Sequence, residues 1–325
     1  VISTRFTAAF GVRHPVVCGG MTAVGTADLV APVAEAGALG FLAALTQPTP
    51  EALVAEVERC RSMTDQPFGV NLTILPTARP VPYAEYRDAI VAAGVPVVET
   101  AGRNPAEHLP AFRAAGIKVI HKAVSVRHAV KAQSLGVDAV SVDGFEAAGH
   151  PGEDDVPGLV LFAAAARALD IPFIASGGLA TGAGLVAALA LGASAVNMGT
   201  RFVATAEAPV HQRVKDRIVA NDERATALVF RKFANTARVA LNDVSARIRR
   251  IEDERGTTFD DVAELASGAR GRERVLAAGD VDGGMWWAGQ SQGLIHDVPT
   301  VAELVDRLVG EAEELMARTL PGLVR

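Results

Sequence analysis

His150 has the clearest chemical use of any residue in this chain. It lies between Gly149 and Pro151-Gly152, where the glycines let the backbone turn tightly and the proline sets the exit. A histidine so placed can accept or donate a proton near neutral pH. Lys122 supplies a positive charge, while Ser176-Gly177-Gly178 and Gly199-Thr200 combine hydroxyl donors with glycines that let a ligand approach the backbone closely. Backbone N–H groups and hydroxyls at such turns suit a phosphate; the competing reading is that the glycines merely permit tight turns. His14, His108, His128, His211 and His296 read as surface or turn residues, and His121 as packed at a strand end. Cys18 and Cys60 read as buried packing residues. No HxH, HExxH or CxxC spacing occurs, so a protein-bound metal is not expected.

These residues need elements that bring them to one rim. Short β-branched runs at residues 15–18, 39–43, 68–72, 95–100, 118–121, 139–142, 172–176 and 195–198 read as strands. Helical periodicity fills the gaps, at residues 27–36, 51–62, 83–93, 106–115, 126–135, 159–169 and 184–191. Eight βα units predict a closed TIM (β/α)8 barrel rather than an open doubly wound sheet, with functional residues at the C-terminal ends of the strands. Those ends carry Gly20-Met21-Thr22, Thr73, Glu99, Lys122, Asp143, Ser176-Gly177-Gly178 and Met198-Gly199-Thr200. In such barrels the loops after the seventh and eighth strands frequently bind phosphate. A GxGxxA match at residues 182–187 opens a helix well after its strand ends, and no acidic residue closes the next strand. It is therefore not read as a dinucleotide fingerprint.

Beyond Met198 the chain becomes richer in Arg, Asp and Glu. Residues 203–278 are expected to form a helical insertion subdomain, a C-terminal excursion from a barrel built of residues 1–202 and 279–325. Its most charged run, residues 246–256, reads as a solvated helix face, and Trp286 and Trp287 as a cover over the barrel mouth. Of the 325 residues 50% are hydrophobic but only 5% aromatic, and the formal net charge is −6. That balance argues against nucleic acid or an anionic membrane as partner. Without a signal-type or membrane-spanning apolar run, and with two cysteines, a cytoplasmic protein is expected.

Together, "HPVVCGGM", "PFGVNLTIL", "GFEAAGHPGEDD", "IASGGLATG" and "NMGTRF" resemble the nitronate monooxygenase (2-nitropropane dioxygenase-like) family of FMN-dependent barrels over nearly the whole chain. "NLTILPTARPVPYAEY" and "VVETAGRNPAEH" look most like its NADH:quinone reductase subgroup. The resemblance implies FMN, with Gly20, Met21 and Thr22 along the flavin and Thr73, Lys122, Ala148 and Gly149 adding contacts. Ser176, Gly177, Gly178, Gly199 and Thr200 would hold its phosphate, Met198 would be a further cofactor-binding residue, and His150 would stand at the reactive edge as catalytic residue. The implied activity is NAD(P)H:quinone reduction, with hydride passing from NADH to FMN and two electrons then passing to a quinone. The alternative is nitronate monooxygenation, oxidising alkyl nitronates or propionate-3-nitronate with O2. A flavin-dependent enoyl-ACP reductase and a non-catalytic flavin-binding module rank below both. The implied partners are small molecules, with a homodimer as a candidate assembly. The stretch of residues 73–86, with Pro76, Pro80 and Pro82, would form a lid.

Overall fold

The computed structural model describes residues 1–75 and 80–323; Pro76 of the expected lid lies outside the described residues. Eight parallel strands close into a barrel in chain order. They are β1 (Val16–Cys18), β2 (Leu39–Ala43), β3 (Gly69–Ile74), β4 (Val97–Gly102), β5 (Lys118–Ala123), β6 (Ala139–Asp143), β7 (Phe173–Ser176) and β8 (Ala195–Asn197). β1 pairs with β2 through Val17 and Leu39 and with β8 through Val16 and Val196, so the ring has no open edge. A short helix, α1 (Arg5–Phe10), precedes the barrel. Strands β1 to β7 are followed in turn by α2 (Ala27–Glu35), α3 (Pro50–Arg61), α4 (Tyr83–Ala93), α5 (Leu109–Ala114), α6 (Val126–Ser134), α7 (Gly158–Ala168) and α8 (Gly182–Ala190). A single turn, α9 (Thr200–Val203), follows β8. The fold is a TIM barrel.

A strand turns alternate side chains to opposite faces, and here that alternation decides what fills the barrel. Val17, Phe41, Val97, Ile120, Ala139, Ile174 and Ala195 form one apolar cluster inside it. Phe6 and Phe10 of α1 close that cluster from below, their ring centroids 4.8 Å apart. Two residues further along the strands, the same face carries Gly19, Ala43, Asn71, Glu99, Lys122, Ser141, Ser176 and Asn197. The interior therefore changes from apolar to polar within one side-chain layer, just below the C-terminal rim. Gly69 belongs to the lower layer, where a Cβ would come within 2.4 Å of Cε1 of Phe41. The missing side chain leaves room for that ring. Replacing Phe41 by Ala is expected to cost about 3–5 kcal/mol, read as a lower urea-unfolding midpoint. An unchanged midpoint would mean that the barrel does not depend on this ring.

After α9 come α10 (Gln212–Ala220), an antiparallel pair β9 (Thr226–Val229) and β10 (Ala237–Ala240), α11 (Asp243–Glu252) and α12 (Gly268–Arg270). The expected helical excursion thus contains a two-stranded sheet. Each of its strands is four residues long, too short for strand and helix periods to be told apart in the sequence. Ala227, Val229, Phe230, Val239, Ile248 and Val262 gather into an apolar cluster of their own. α11 buries Val244 and Ile248 and leaves Arg247, Arg249 and Arg250 exposed, as a solvated charged face requires. The chain then returns across the mouth, where Trp286 is buried and Trp287 stays 41% exposed. The last long helix, α13 (Val301–Glu314), packs against α8 and α2. No described helix is long and apolar enough to cross a membrane.

Candidate functional site

The C-terminal rim opens into a cleft of about 320 Å³, and every residue expected at the site lines it except Met198. Met198 is 1% exposed, and its N–H donates to the Val17 carbonyl at 3.0 Å. Because Asn197 points into the barrel, alternation turns Met198 outward among the core residues. Its side chain packs in the core and does not line the cleft.

Three loops form the walls. In the first, the Met21 carbonyl accepts from Val24 and Gly25, and the Ala23 N–H donates to the Thr46 hydroxyl at 2.8 Å. This tight turn sets Gly20, Met21 and Thr22 along one side of the cleft, with Thr22 exposed at the tip. In the second, Gly177 and Gly178 hold φ of +94° and +74°, a conformation that L side chains rarely adopt. No described residue accepts a backbone hydrogen bond from Gly177, Gly178, Gly199 or Thr200. Ser176 Oγ accepts from Asn197 Nδ2 at 3.0 Å, and Thr200 Oγ1 accepts from the Gly289 N–H at 3.0 Å. Each hydroxyl is thus held from behind, and its own hydrogen remains available to a ligand. Four unpaired amides and two hydroxyl donors in one cleft suit an anionic oxygen group.

The third wall is the loop after β6. The β10 strand grips it: Gly149 and Arg238 exchange backbone hydrogen bonds at 3.1 and 2.6 Å. The Arg238 guanidinium donates to the Phe145 carbonyl and lies over the Phe145 ring, 4.6 Å from its centroid. One residue beyond Gly149, His150 stands open to the cleft with its ring centroid 5.5 Å from that of Trp287. Desolvation pushes the His150 pKa below 6.5, with Glu153 opposing. Ala148 lines the cleft beside it.

Beneath the cleft, the strand-end residues Glu99, Thr73 and Lys122 join Asn71 and Asn197 in a network that no motif reports. Glu99 Oε2 accepts from the Gly20 N–H at 2.9 Å and from Asn71 Nδ2 at 2.6 Å. Asn71 Oδ1 in turn accepts from the Thr73 hydroxyl at 2.8 Å, so Thr73 keeps only acceptor capacity toward the cleft. Asn197 Oδ1 accepts from the Gly19 N–H at 2.9 Å. Lys122 Nζ lies 3.7 Å from Glu99 Oε1. Burial lowers the Lys122 pKa, but Glu99 and then Asp143 more than offset it, so the ammonium stays charged. The alternation of inward positions is the signal that groups Asn71, Glu99 and Asn197, each two residues beyond a member of the lower interior layer.

A second cavity of about 550 Å³ adjoins the first on the β4–β6 side. The two share Thr73, Leu75, Lys122, Asp143, Ala148 and His150, and the second adds His121, Lys131 and Asn235. Cys18 is fully enclosed and burial drives its thiol pKa far up, which excludes a thiolate nucleophile. His14 and His108, expected at the surface, are buried at 8% and 4% exposure. Among the described residues no cluster of His, Cys, Asp and Glu could hold a metal ion.

His121 is packed, sharing a 2.8 Å hydrogen bond with the Thr100 hydroxyl. Burial first, and then the nearby His128, holds its pKa down at about 4. Between about pH 4 and 6.5 the unfolded chain binds a proton there that the fold refuses. Stability therefore rises with pH through that window and is complete above it. The shift corresponds to about 3 kcal/mol. The urea midpoint is expected to fall less between about pH 7 and about pH 4.5 in His121→Gln than in the parent; equal falls would contradict this.

The chain matches the nitronate monooxygenase family model over residues 3–311. It belongs to that family. Family members are FMN-dependent oxidoreductases, and this protein is one of them. It is 32% identical to the (3aS,4S,5R,7aS)-5-hydroxy-7a-methyl-1-oxo-octahydro-1H-indene-4-carboxyl-CoA dehydrogenase of Rhodococcus jostii, with 96% of both chains covered. It is 29% identical to the nitronate monooxygenase of Pseudomonas aeruginosa, covering 95% of this chain and 99% of that one. Among solved structures, FabK from Thermotoga maritima superposes with a TM-score of 0.91 at 33% identity over 100% of both chains. A nitroalkane oxidase from Streptomyces ansochromogenes gives 0.82 at 29% identity, covering 97% of this chain and 100% of that one. The family's cofactor fits the residues found here, since the unpaired amides beside Ser176 and Thr200 match the donor needs of a flavin phosphate.

Proposed function

We propose that the protein is an NAD(P)H:quinone reductase in which both organic substrates use the 550 Å³ cavity in turn. That cavity carries the reading. Its volume falls within the roughly 300–1,000 Å³ of pockets for ligands of drug size, which suits a nicotinamide or a quinone ring. A nitronate of a few carbons would occupy a small part of it. Bound FMN would supply the hydride and electron chemistry. Ser176, Gly177, Gly178, Gly199 and Thr200 would hold its phosphate, while Gly20, Met21, Thr22, Ala148 and Gly149 would lie along it. Thr73 would accept a hydrogen bond from the flavin, and Lys122 would contribute positive charge. The overall balance, NAD(P)H and one proton with a quinone giving NAD(P)+ and a hydroquinone, needs no strong base. Solvent reaching the open side of His150 would supply the proton. Residues 203–278 would act as a subdomain whose β10 strand steadies the His150 loop.

The relatives' names speak more directly for a second reading, nitronate monooxygenation. A Pseudomonas aeruginosa relative is named for it and a Streptomyces structure is a nitroalkane oxidase. In that reading His150 would take the α-proton of a neutral nitroalkane. Anaerobic mixing of the flavoprotein with NADH or NADPH separates the two. Loss of the oxidised-flavin band within the turnover time, and its return on adding benzoquinone, is the expected result. An unchanged band, together with O2 uptake on a nitronate, would overturn the reductase in favour of the second reading.

A further inference from the structure

Glu99 is a carboxylate at 1% exposure in the centre of the barrel, where an unpaired charge would be strongly disfavoured. Its two oxygens face different partners. Oε2 takes the Gly20 N–H and the Asn71 amide, and Oε1 faces the Lys122 ammonium. Gly20 and Lys122 both line the cleft assigned to the flavin, whereas Glu99 does not. The carboxylate thus lies behind the surface that a flavin would touch, tied to a backbone amide and to the cation that contribute to that surface. Packing alone does not explain it, because the equivalent inward positions on β2 and β6 hold the uncharged Ala43 and Ser141.

We propose that Glu99 is a positioning residue that balances the charge of Lys122 and thereby sets the reduction potential of the bound flavin. The inference rests on the FMN reading of the cleft. Two-electron reduction puts negative charge on the flavin, so a nearby cation binds the reduced form better than the oxidised form. A carboxylate ion-paired to that cation weakens the preference. Asp143, the other acidic group beside Lys122, lines the cleft and is shared with the second cavity. It adds negative charge from the side, and its presence in every variant leaves the comparison intact.

The test is the two-electron midpoint potential of the FMN-loaded protein, measured by spectroelectrochemistry. Glu99→Gln keeps an acceptor oxygen for Gly20 and releases the full charge of Lys122, so the potential is expected to rise. Lys122→Met leaves the carboxylate unbalanced, so the potential is expected to fall. A tenfold change in the relative affinity for reduced and oxidised FMN, about 30 mV for a two-electron couple, is expected in each direction. The double variant should return close to the parent. A merely structural role would disturb FMN binding without opposite-signed shifts. Shifts of the same sign, or none in either variant, would overturn the inference while leaving the FMN reading intact. Should Glu99→Gln not fold, Lys122→Met must still lower the potential, and an unchanged value there overturns the proposal. Parent protein that binds no FMN would overturn the cofactor reading and this inference together.

Discussion

Replacing His150 by Ala is expected to lower oxidation of neutral nitroalkanes by about 10²–10⁴ and to leave quinone turnover within about tenfold of the parent. The asymmetry follows from what each reaction asks of the side chain. A neutral nitroalkane must lose a proton from carbon, and His150 stands open in the part of the cleft common to both cavities. Hydride transfer from a nicotinamide removes no proton, so a quinone reductase loses only contacts. Desolvation holds the His150 pKa below 6.5, which keeps the ring neutral and able to accept a proton at pH 7. The nitroalkane rate of the parent should therefore be flat above that lowered pKa and fall as pH drops through it. His150→Ala should abolish this acid limb. Steady-state rates on both substrate classes across pH provide the measurement. Equal losses on both would mean that His150 does not act as a base.

Gly177→Ala is expected to weaken FMN binding by about 10²–10⁴. Gly177 holds a φ of +94°, and a Cβ there would meet the Ala147 nitrogen at 3.0 Å and the Gly144 carbonyl oxygen at 3.1 Å. Those contacts are with backbone, which cannot swing aside as a flexible side chain can. The peptide must rotate instead, carrying the N–H groups of Gly177 and Gly178 away from the cleft. Hydrogen bonds to a charged group contribute about 1.5–3 kcal/mol each. Losing two amounts to about 3–6 kcal/mol, at about 1.4 kcal/mol per tenfold in affinity. Titration of apoprotein with FMN, followed by flavin fluorescence, reads the dissociation constant, and a thermal melt checks that the fold survives. An affinity within about threefold of the parent would show that these amides do not hold the phosphate.

Much of this site is legible before folding is considered. Each barrel strand begins and ends within two residues of where β-branched runs place it, and the glycine loops after β7 and β8 are visible as short motifs. The motif does not show that Met198 faces away from the cleft, because it records neighbours in the chain, whereas the pleat sends Asn197 and Met198 to opposite sides. Glu99 is read at a strand end, but its role stays hidden for a related reason. Its partner Gly20 is 79 residues away, and no local pattern reports that pairing. The expectation of a helical excursion does not single out the β9–β10 pair, because its strands gain their identity from each other rather than from their own composition.

The sequence by itself determined the eightfold alternation of strand and helix, the rim on which chemistry collects, and the loops able to receive a phosphate. These depend on side-chain periodicity and on backbone freedom at single residues, both of which act over a few positions. Only the tertiary structure decided that Gly20, Asn71, Glu99 and Lys122 meet as one network, that β10 grips the loop carrying His150, and that a second cavity opens beside the first. Closing the ring brings residues from distant strands within hydrogen-bond range. That closure is a property of all eight strands together and is written in no single segment.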